Sequence, residues 1–99
     1  MQIYMFTIRD QAADAYLQPF FFNSIGLAQR TFSDMVNTKD HNFNMHPGDY
    51  TLFIVGRFDP NTAEVIPETP RKICNGLECL TNDLTAVLKT NENEEETVQ

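Results

Sequence analysis

The spacing of apolar residues along the chain predicts several short strands and one amphipathic helix. Residues 2–8 are mostly β-branched, aromatic or long apolar residues, and the polar run Arg9-Asp10-Gln11 follows them. This pattern predicts a first strand. The strand is apolar on both faces, so we expect one face to meet a helix or a partner chain.

Residues 11–22 show no single period. The alanines among residues 12–15 favour a helix, whereas Pro19 and the run Phe20-Phe21-Phe22 favour an extended chain. We therefore predict an irregular or edge segment here.

A helical period begins after residue 24. Asn23 or Ser24 can cap the first turn by accepting a hydrogen bond from an unpaired amide. Apolar residues then recur at offsets of three and four over about 13 residues. The stripe consists of Ile25, Ala28, Phe32, Met35 and Val36. We expect the helix to pack through this stripe, and a polar loop to follow over residues 38–42.

Residues 50–58 give the strongest strand pattern, and the turn residues Pro47-Gly48-Asp49 precede them. Alternation places two sets of residues on opposite faces: Tyr50, Leu52, Ile54, Gly56 and Phe58 on one, and Thr51, Phe53, Val55 and Arg57 on the other. The run from Asp59 to Thr62 suits a type I turn, so residues 63–66 should fold back as the partner strand.

The pattern is weaker after Pro67. Pro67 and Pro70 bracket a predicted loop that leads into a short strand or an extended arm, and Asn75-Gly76 is a turn signal. Thr81 or Asn82 can cap a short terminal helix with Leu84, Val87 and Leu88 as its apolar residues. We thus predict one compact α+β domain over residues 1–89 and a disordered acidic tail over residues 90–99.

The predicted architecture is a small antiparallel sheet with one main amphipathic helix packed on it. A chain of 99 residues has room for one domain with a modest core. Sheet edges and surplus apolar surface then need cover, so we expect a homodimer.

The charge of the chain limits its partners. Acidic side chains number 14 against 7 basic ones, a formal net charge of −7, and four of the glutamates lie in residues 92–96. This balance argues against binding to duplex DNA or a membrane surface. We see neither a long apolar run nor a secretory signal, and we expect a cytosolic protein whose Cys74 and Cys79 are reduced.

Candidate catalytic and metal sites are poorly supported. His41, His46, Cys74 and Cys79 include ligand types for zinc, but their spacings lack a tight Cys-x-x-Cys pair, so we favour loop histidines and small thiols. No nucleophile with a positioned base and no glycine-rich phosphate loop stands out. We therefore expect no enzyme activity, no cofactor and no metal.

Arginines among aromatic residues suggest binding to single-stranded nucleic acid, since unstacked bases lie on rings while cations contact phosphates. We predict that phosphates are contacted by Arg9, Arg30, Arg57, Arg71 and Lys72, and that bases stack on Tyr4, Phe21 or Tyr50. Core packing and surface ion pairs are the alternative role of these residues. In an extended Phe20-Phe21-Phe22 run the three rings cannot all enter one core, so at least one should be exposed or covered by a second subunit.

Two longer motifs carry a family resemblance. The first is P-F-F-F-N-S-I-G-L-A-Q-R-T-F-S-D-M-V-N and the second is H-P-G-D-Y-T-L-F-I-V-G-R-F-D. Together they resemble the small nonstructural protein of gokushovirus-type microviruses, which are tailless phages with circular single-stranded DNA genomes. The likeness starts at the strand from Ile3 to Asp10 and runs to about Pro67. The motif residues of the family fall on Arg30, Phe32, Asp34, His46, Pro47, Asp49, Tyr50 and Arg57.

The resemblance implies a nonstructural, non-enzymatic phage protein in the cytoplasm of the infected bacterium. It also implies an association with single-stranded DNA during genome replication or packaging. The alternative is a protein-interaction module, an assembly or regulatory factor that contacts phage or host replication proteins through the apolar edge at residues 20–22. The acidic tail could compete with DNA for the basic groups or recruit partners, a hypothesis suggested by its glutamates.

Overall fold

A computed structural model describes residues 2–81 of the chain. Its strands are β1 (Ile3–Asp10), β2 (Ala15–Tyr16), β3 (Phe20–Phe22), β4 (Tyr50–Phe58) and β5 (Val65–Asn75), and its helices are α1 (Ile25–Val36), α2 (Asn42–Met45) and α3 (Gly76–Cys79). A 3-10 turn at Pro47–Asp49 leads into β4. The predicted terminal helix around residues 84–88 and the acidic tail at residues 90–99 lie outside the described residues.

The strands form one antiparallel sheet in the order β2-β1-β4-β5, and β3 also pairs with β1. The first half of β1 pairs with β3, and its last two residues pair with β2. Residues 11–22, which we expected to be an irregular or edge segment, therefore supply two short edge strands, and the edge alternative is confirmed. The turn between β1 and β2 includes Asp14 at a φ of 56°, a left-handed conformation that aspartate tolerates better than most residues. The predicted α+β fold with an antiparallel sheet is confirmed.

One face of the sheet, here called the helix face, carries the core. The buried core comprises Phe6, Ile8, Leu52, Ile54 and Cys74 from the sheet, Ala28, Phe32 and Val36 from α1, and Phe43 from α2. The predicted stripe of α1 is thus confirmed, with Ile25 and Met35 packed at its margins. The one-turn helix α2 was missed, because the sequence predicted only a polar loop up to residue 42.

The start of α1 depends on a side-chain cap. The Ser24 hydroxyl accepts a hydrogen bond from the Leu27 amide at 3.1 Å. We expect Ser24→Ala to lower the free energy of unfolding by about 1 kcal/mol, because that amide then loses its protein partner. Urea denaturation measures the change. Thr31→Ala is the control, since it removes a hydroxyl from the exposed side of the same helix and should be neutral or slightly stabilising.

The alternation predicted for β4 holds from Tyr50 to Ile54 and then shifts. Phe6 of β1 pairs with Ile54, whereas its neighbour Met5 pairs with Gly56, so Val55 is an extra residue on β4. Such a bulge reverses the direction of the side chains that follow it. Arg57 consequently pairs with Tyr4, and Phe58 pairs with Ile3 on the opposite face.

Strand β5 is longer than predicted. The turn after β4 is confirmed, with the Thr62 and Ala63 amides donating to the Asp59 carbonyl. The chain then continues as one strand through Pro67 and Pro70, where we expected a loop. Proline is tolerated here because β5 lies at the edge of the sheet and its register shifts between these residues.

The end of β5 passes directly into α3. Asn75, which we interpreted as part of a turn, is instead the N-cap of this one-turn helix. Its side-chain nitrogen Nδ2 also donates to the carbonyls of Gly48 and Tyr50 and to the Thr51 hydroxyl, at 2.9–3.2 Å. The junction of β5 and α3 is therefore fixed against the start of β4. No helix among residues 2–81 combines the length and apolar character needed to cross a membrane.

Candidate nucleic-acid interface

The sheet has a second face, which we call the open face. Along β1, the side chains of this face alternate with those of the core. The residues paired with them on the neighbouring strands lie on the same face. The open face includes Met5, Arg9, Tyr16, Phe21, Phe53, Phe58 and Lys72. Thr7, between Met5 and Arg9, also lies on this face but is buried, and its hydroxyl donates to the Leu17 carbonyl. Tyr16 is 50% exposed and Phe21 is 47% exposed, so aromatic surface is available to solvent on this face.

Four rings on the open face form two pairs. Tyr16 and Phe53 lie edge to face with their centroids 5.7 Å apart, and Phe21 and Phe58 do the same at 5.9 Å. Tyr16 is opposite Arg9 and Phe21 is opposite Met5, four residues away on β1. Four residues of an antiparallel strand span about 14 Å. The face therefore offers two separate aromatic platforms along one strand.

Arg9 is the cation of the first platform. Its guanidinium carbon lies 5.2 Å from the centroid of the Tyr16 ring, and the group also forms an ion pair with Asp14. The hydrogen bond to Asp14 is the main reason that the pKa of Arg9 is raised. Both partners of this ion pair are accessible, and such exposed pairs contribute little to stability. A phosphate group could therefore replace the Asp14 carboxylate at small cost.

Lys72 lies on the other side of the same platform. Its backbone pairs with that of Phe53, and its ammonium group is 3.4 Å from a carboxylate oxygen of Glu78. The pKa of Glu78 is lowered, first by the hydrogen bond from the Asn75 amide and then by Lys72. Arg9 and Lys72 thus flank the Tyr16–Phe53 pair, and each is balanced by one acidic residue.

Of the three rings predicted for stacking, the open face contains Phe21. Phe20 and Phe22 pair with Phe6 and Tyr4 and pack against the core, which leaves Phe21 as the exposed ring of the triplet. Exposure of at least one ring is confirmed. Tyr4 and Tyr50 instead lie on the helix face and pack against the core.

The five predicted cations do not share one face. Arg9 and Lys72 lie on the open face. Arg71 pairs with the core residue Ile54, and Arg57 pairs with Tyr4, so both lie on the helix side of the sheet. Arg57 is also held by Glu68 and Gln2, each at 2.8 Å. Arg30 lies on the exposed surface of α1. A single protomer therefore forms no trough from all five.

Three open-face rings were not among those predicted for stacking. Phe53 was predicted correctly on the face opposite Leu52. Phe58 was assigned to the wrong face because the bulge at Val55 is not visible in the sequence. Tyr16 lies within the segment that we expected to be irregular or at a sheet edge, and only its pairing with Arg9 shows its position.

Pockets and clusters of possible metal ligands are the remaining features to report for the described residues. Residues 2–81 contain no pocket, and no group of three or more His, Cys, Asp or Glu side chains among them could hold a metal ion. His41, one of the candidate zinc ligands, instead accepts a hydrogen bond from the Phe43 amide at the start of α2.

Comparison with protein families identifies the class of this chain. Residues 3–79 match the family described as Phage ORF5 protein. The match covers most of the chain, from β1 to the end of α3. The chain therefore belongs to the Phage ORF5 protein family and is a bacteriophage protein. No curated protein and no solved structure matches it.

Proposed function

We propose that this phage protein binds single-stranded DNA without strong sequence preference through the open face of its sheet. The proposal includes a non-enzymatic role in genome replication or packaging in the host bacterial cytoplasm, and a homodimer as the binding unit. Membership of a phage family and the resemblance to proteins of single-stranded DNA microviruses support this biological setting.

The observation that carries the proposal is the pair of half-exposed aromatic platforms, one of them flanked by Arg9 and Lys72. Stacking on a ring accepts any base, because every base has a π face, and each stacked base contributes about 1–3 kcal/mol. Since the cations of the open face are few, stacking should supply most of the affinity. This also explains how a chain with a net charge of −7 could bind a polyanion.

A titration of a labelled oligonucleotide at several salt concentrations tests the proposal. Two cations neutralise at most two phosphates per protomer, so log affinity should fall with log salt at a slope of about −1.4. A dimer that uses both copies should double this slope. All five predicted cations acting together would instead give a slope of about −3.5 per protomer. Absence of binding at low salt would contradict the proposal.

Removing the acidic partner of Arg9 should strengthen binding. Asp14→Asn leaves Arg9 unpaired and suits the left-handed backbone at this position. We expect the affinity for single-stranded DNA to rise about two- to fivefold at low salt, the range of one exposed ion pair. Asp34→Asn makes the same charge change on α1 and should have a smaller effect. Equal gains in the two variants would show that net charge, and not Arg9, controls the affinity.

The alternative is a protein-interaction module that contacts phage or host replication proteins. The exposed apolar residues at one end of the open face favour it, since Phe21 and Phe58 form a pair there and Val65, opposite Phe58, is also exposed. A partner protein bound through this end would show little dependence on salt, and the oligonucleotide would not compete with it.

A further inference from the structure

The two cysteines of the described chain lie close together without being bonded. Cys74 occupies the end of β5 and Cys79 the end of α3, and their sulfur atoms are 3.2 Å apart. Cys74 is a core residue with its side chain against the helix face, whereas Cys79 is only partly buried. Sequence spacing alone suggested neither a disulfide nor a metal site.

Hydrogen bonds around α3 keep the two sulfur atoms close to each other. The Leu77 amide donates to the Asn75 side chain, and Glu78 accepts from the Asn75 amide, which fixes both ends of the helical turn. The carbonyl of Cys79 accepts a hydrogen bond from Asn37 of α1 at 3.0 Å. Hydrogen-bonded segments of the fold therefore fix the two thiols near each other.

A close backbone contact at Gly76 also fixes the position of α3. The backbone of Gly76 lies so close to Pro47 that an added Cβ would be 2.2 Å from the Pro47 carbonyl oxygen. Only glycine permits this approach, which keeps the first turn of α3 against the start of β4. A small movement of the side chains would then bring the sulfur atoms from 3.2 Å to the bonding distance of about 2.05 Å.

We propose that Cys74 and Cys79 form a reversible thiol–disulfide site that reacts with small disulfides such as glutathione disulfide. This inference is independent of DNA binding. The thiolate of Cys79 attacks one sulfur of the small disulfide, forming a mixed disulfide and releasing one small thiol. Cys74 then attacks the Cys79 sulfur, and its proton passes to the departing sulfur, which leaves as the second small thiol. Both protein thiols are oxidised, and the small disulfide is reduced to two thiols.

The order of the two steps follows from exposure. Burial and then the neighbouring Cys79 raise the pKa of Cys74 to about 12, so Cys74 remains a protonated thiol at neutral pH. Cys79 is the more accessible group and makes the first attack. Cys74 resolves the mixed disulfide from within the core, where a small disulfide cannot reach it directly. In a reducing cytosol both cysteines stay reduced. They form a disulfide when the concentration of small disulfides rises.

Mass spectrometry after incubation of the full chain with glutathione disulfide tests the inference. We expect the wild-type chain to lose two hydrogen atoms and to yield a peptide that links Cys74 to Cys79. Cys74→Ser should accumulate a glutathione adduct on Cys79, because the resolving thiol is absent. Cys79→Ser should accumulate no adduct, because Cys74 is buried.

Thermal unfolding provides a second readout. Oxidation should raise the melting temperature of the wild-type chain by several degrees, since the bond closes a loop without moving α3. The same treatment should leave Cys79→Ser unchanged. Two free thiols in the folded wild-type chain after this treatment, or a disulfide between two chains, would overturn the inference. A stable glutathione adduct on wild-type Cys79 would overturn the resolving role of Cys74.

Discussion

Replacing Tyr16 and Phe21 together by alanine should weaken binding to single-stranded DNA by between about 30-fold and about 25,000-fold. Each ring supplies a stacking surface worth about 1–3 kcal/mol per base. The two platforms are about 14 Å apart along β1, far enough for the two losses to add. Fluorescence anisotropy with a labelled oligonucleotide measures each single variant and the double variant. A double variant no weaker than the worse single variant would show that DNA does not span both platforms.

A matched control separates stacking from the general loss of apolar surface. Leu27 is 44% exposed, similar to Phe21, but it lies on α1 and not on the sheet. Leu27→Ala should therefore leave the affinity for DNA unchanged within about twofold. Equal losses of DNA affinity in Leu27→Ala and Phe21→Ala would show that the open face is not the binding surface. The urea midpoint of each variant shows whether it remains folded.

A second comparison distinguishes the two faces of the sheet. Lys72 and Arg71 are neighbours in sequence, but successive side chains of a strand point to opposite faces. Lys72 lies beside the Tyr16–Phe53 platform, whereas Arg71 pairs with Ile54 on the helix face. Lys72→Gln should therefore lower the salt slope by about 0.7, and Arg71→Gln should leave it unchanged. The opposite outcome would place the DNA on the helix side.

The parts of the fold that the sequence predicted correctly are those fixed by local chemistry. Ser24 supplies a cap and the residues after it supply a stripe at helical spacing, so the start of α1 and its buried face were both predictable. The first half of β4 was predictable for the same reason, since Leu52 and Ile54 alternate with polar or half-buried neighbours.

The parts that were missed depend on contacts between distant segments. The bulge at Val55 exists because β4 pairs with β1 on one side and β5 on the other, and both registers shift there. At Gly56 an added Cβ would be 2.6 Å from the Ile66 carbonyl oxygen, a contact that no local window of sequence contains. The reversal of Arg57 and Phe58 follows from this long-range packing.

The candidate site was predicted only in part for a related reason. Residue types identified arginines near aromatic residues, but a surface is defined by pairing between strands. Tyr16 reaches Arg9 through the turn at residues 11–14, and Lys72 reaches Phe53 across the β4–β5 ladder. The opposite directions of Arg71 and Lys72 follow from strand alternation, but the sequence left residues 71–73 open between a short strand and an extended arm.

Phe32→Ala should have the largest effect on stability, lowering the free energy of unfolding by about 3–5 kcal/mol. The ring is fully buried, 0% exposed, and its centroid lies 5.7 Å from that of Phe43. Its removal leaves a cavity between α1 and the sheet that rigid neighbours cannot fill. A domain of this size has a total stability of about 4–12 kcal/mol, so the variant could be largely unfolded.

Two variants keep this prediction testable by urea denaturation. Phe32→Leu retains part of the volume and should lose about 1–2 kcal/mol, which stays measurable if Phe32→Ala does not fold. Phe21→Ala removes the same side chain from the open face, where 47% of it is already exposed, and should lose far less stability than Phe32→Ala. Phe21→Ala should therefore impair DNA binding in a folded protein, whereas Phe32→Leu should lower stability and leave the affinity of the folded fraction unchanged. Similar stability losses at the two positions would contradict the division of the sheet into a buried helix face and an open binding face.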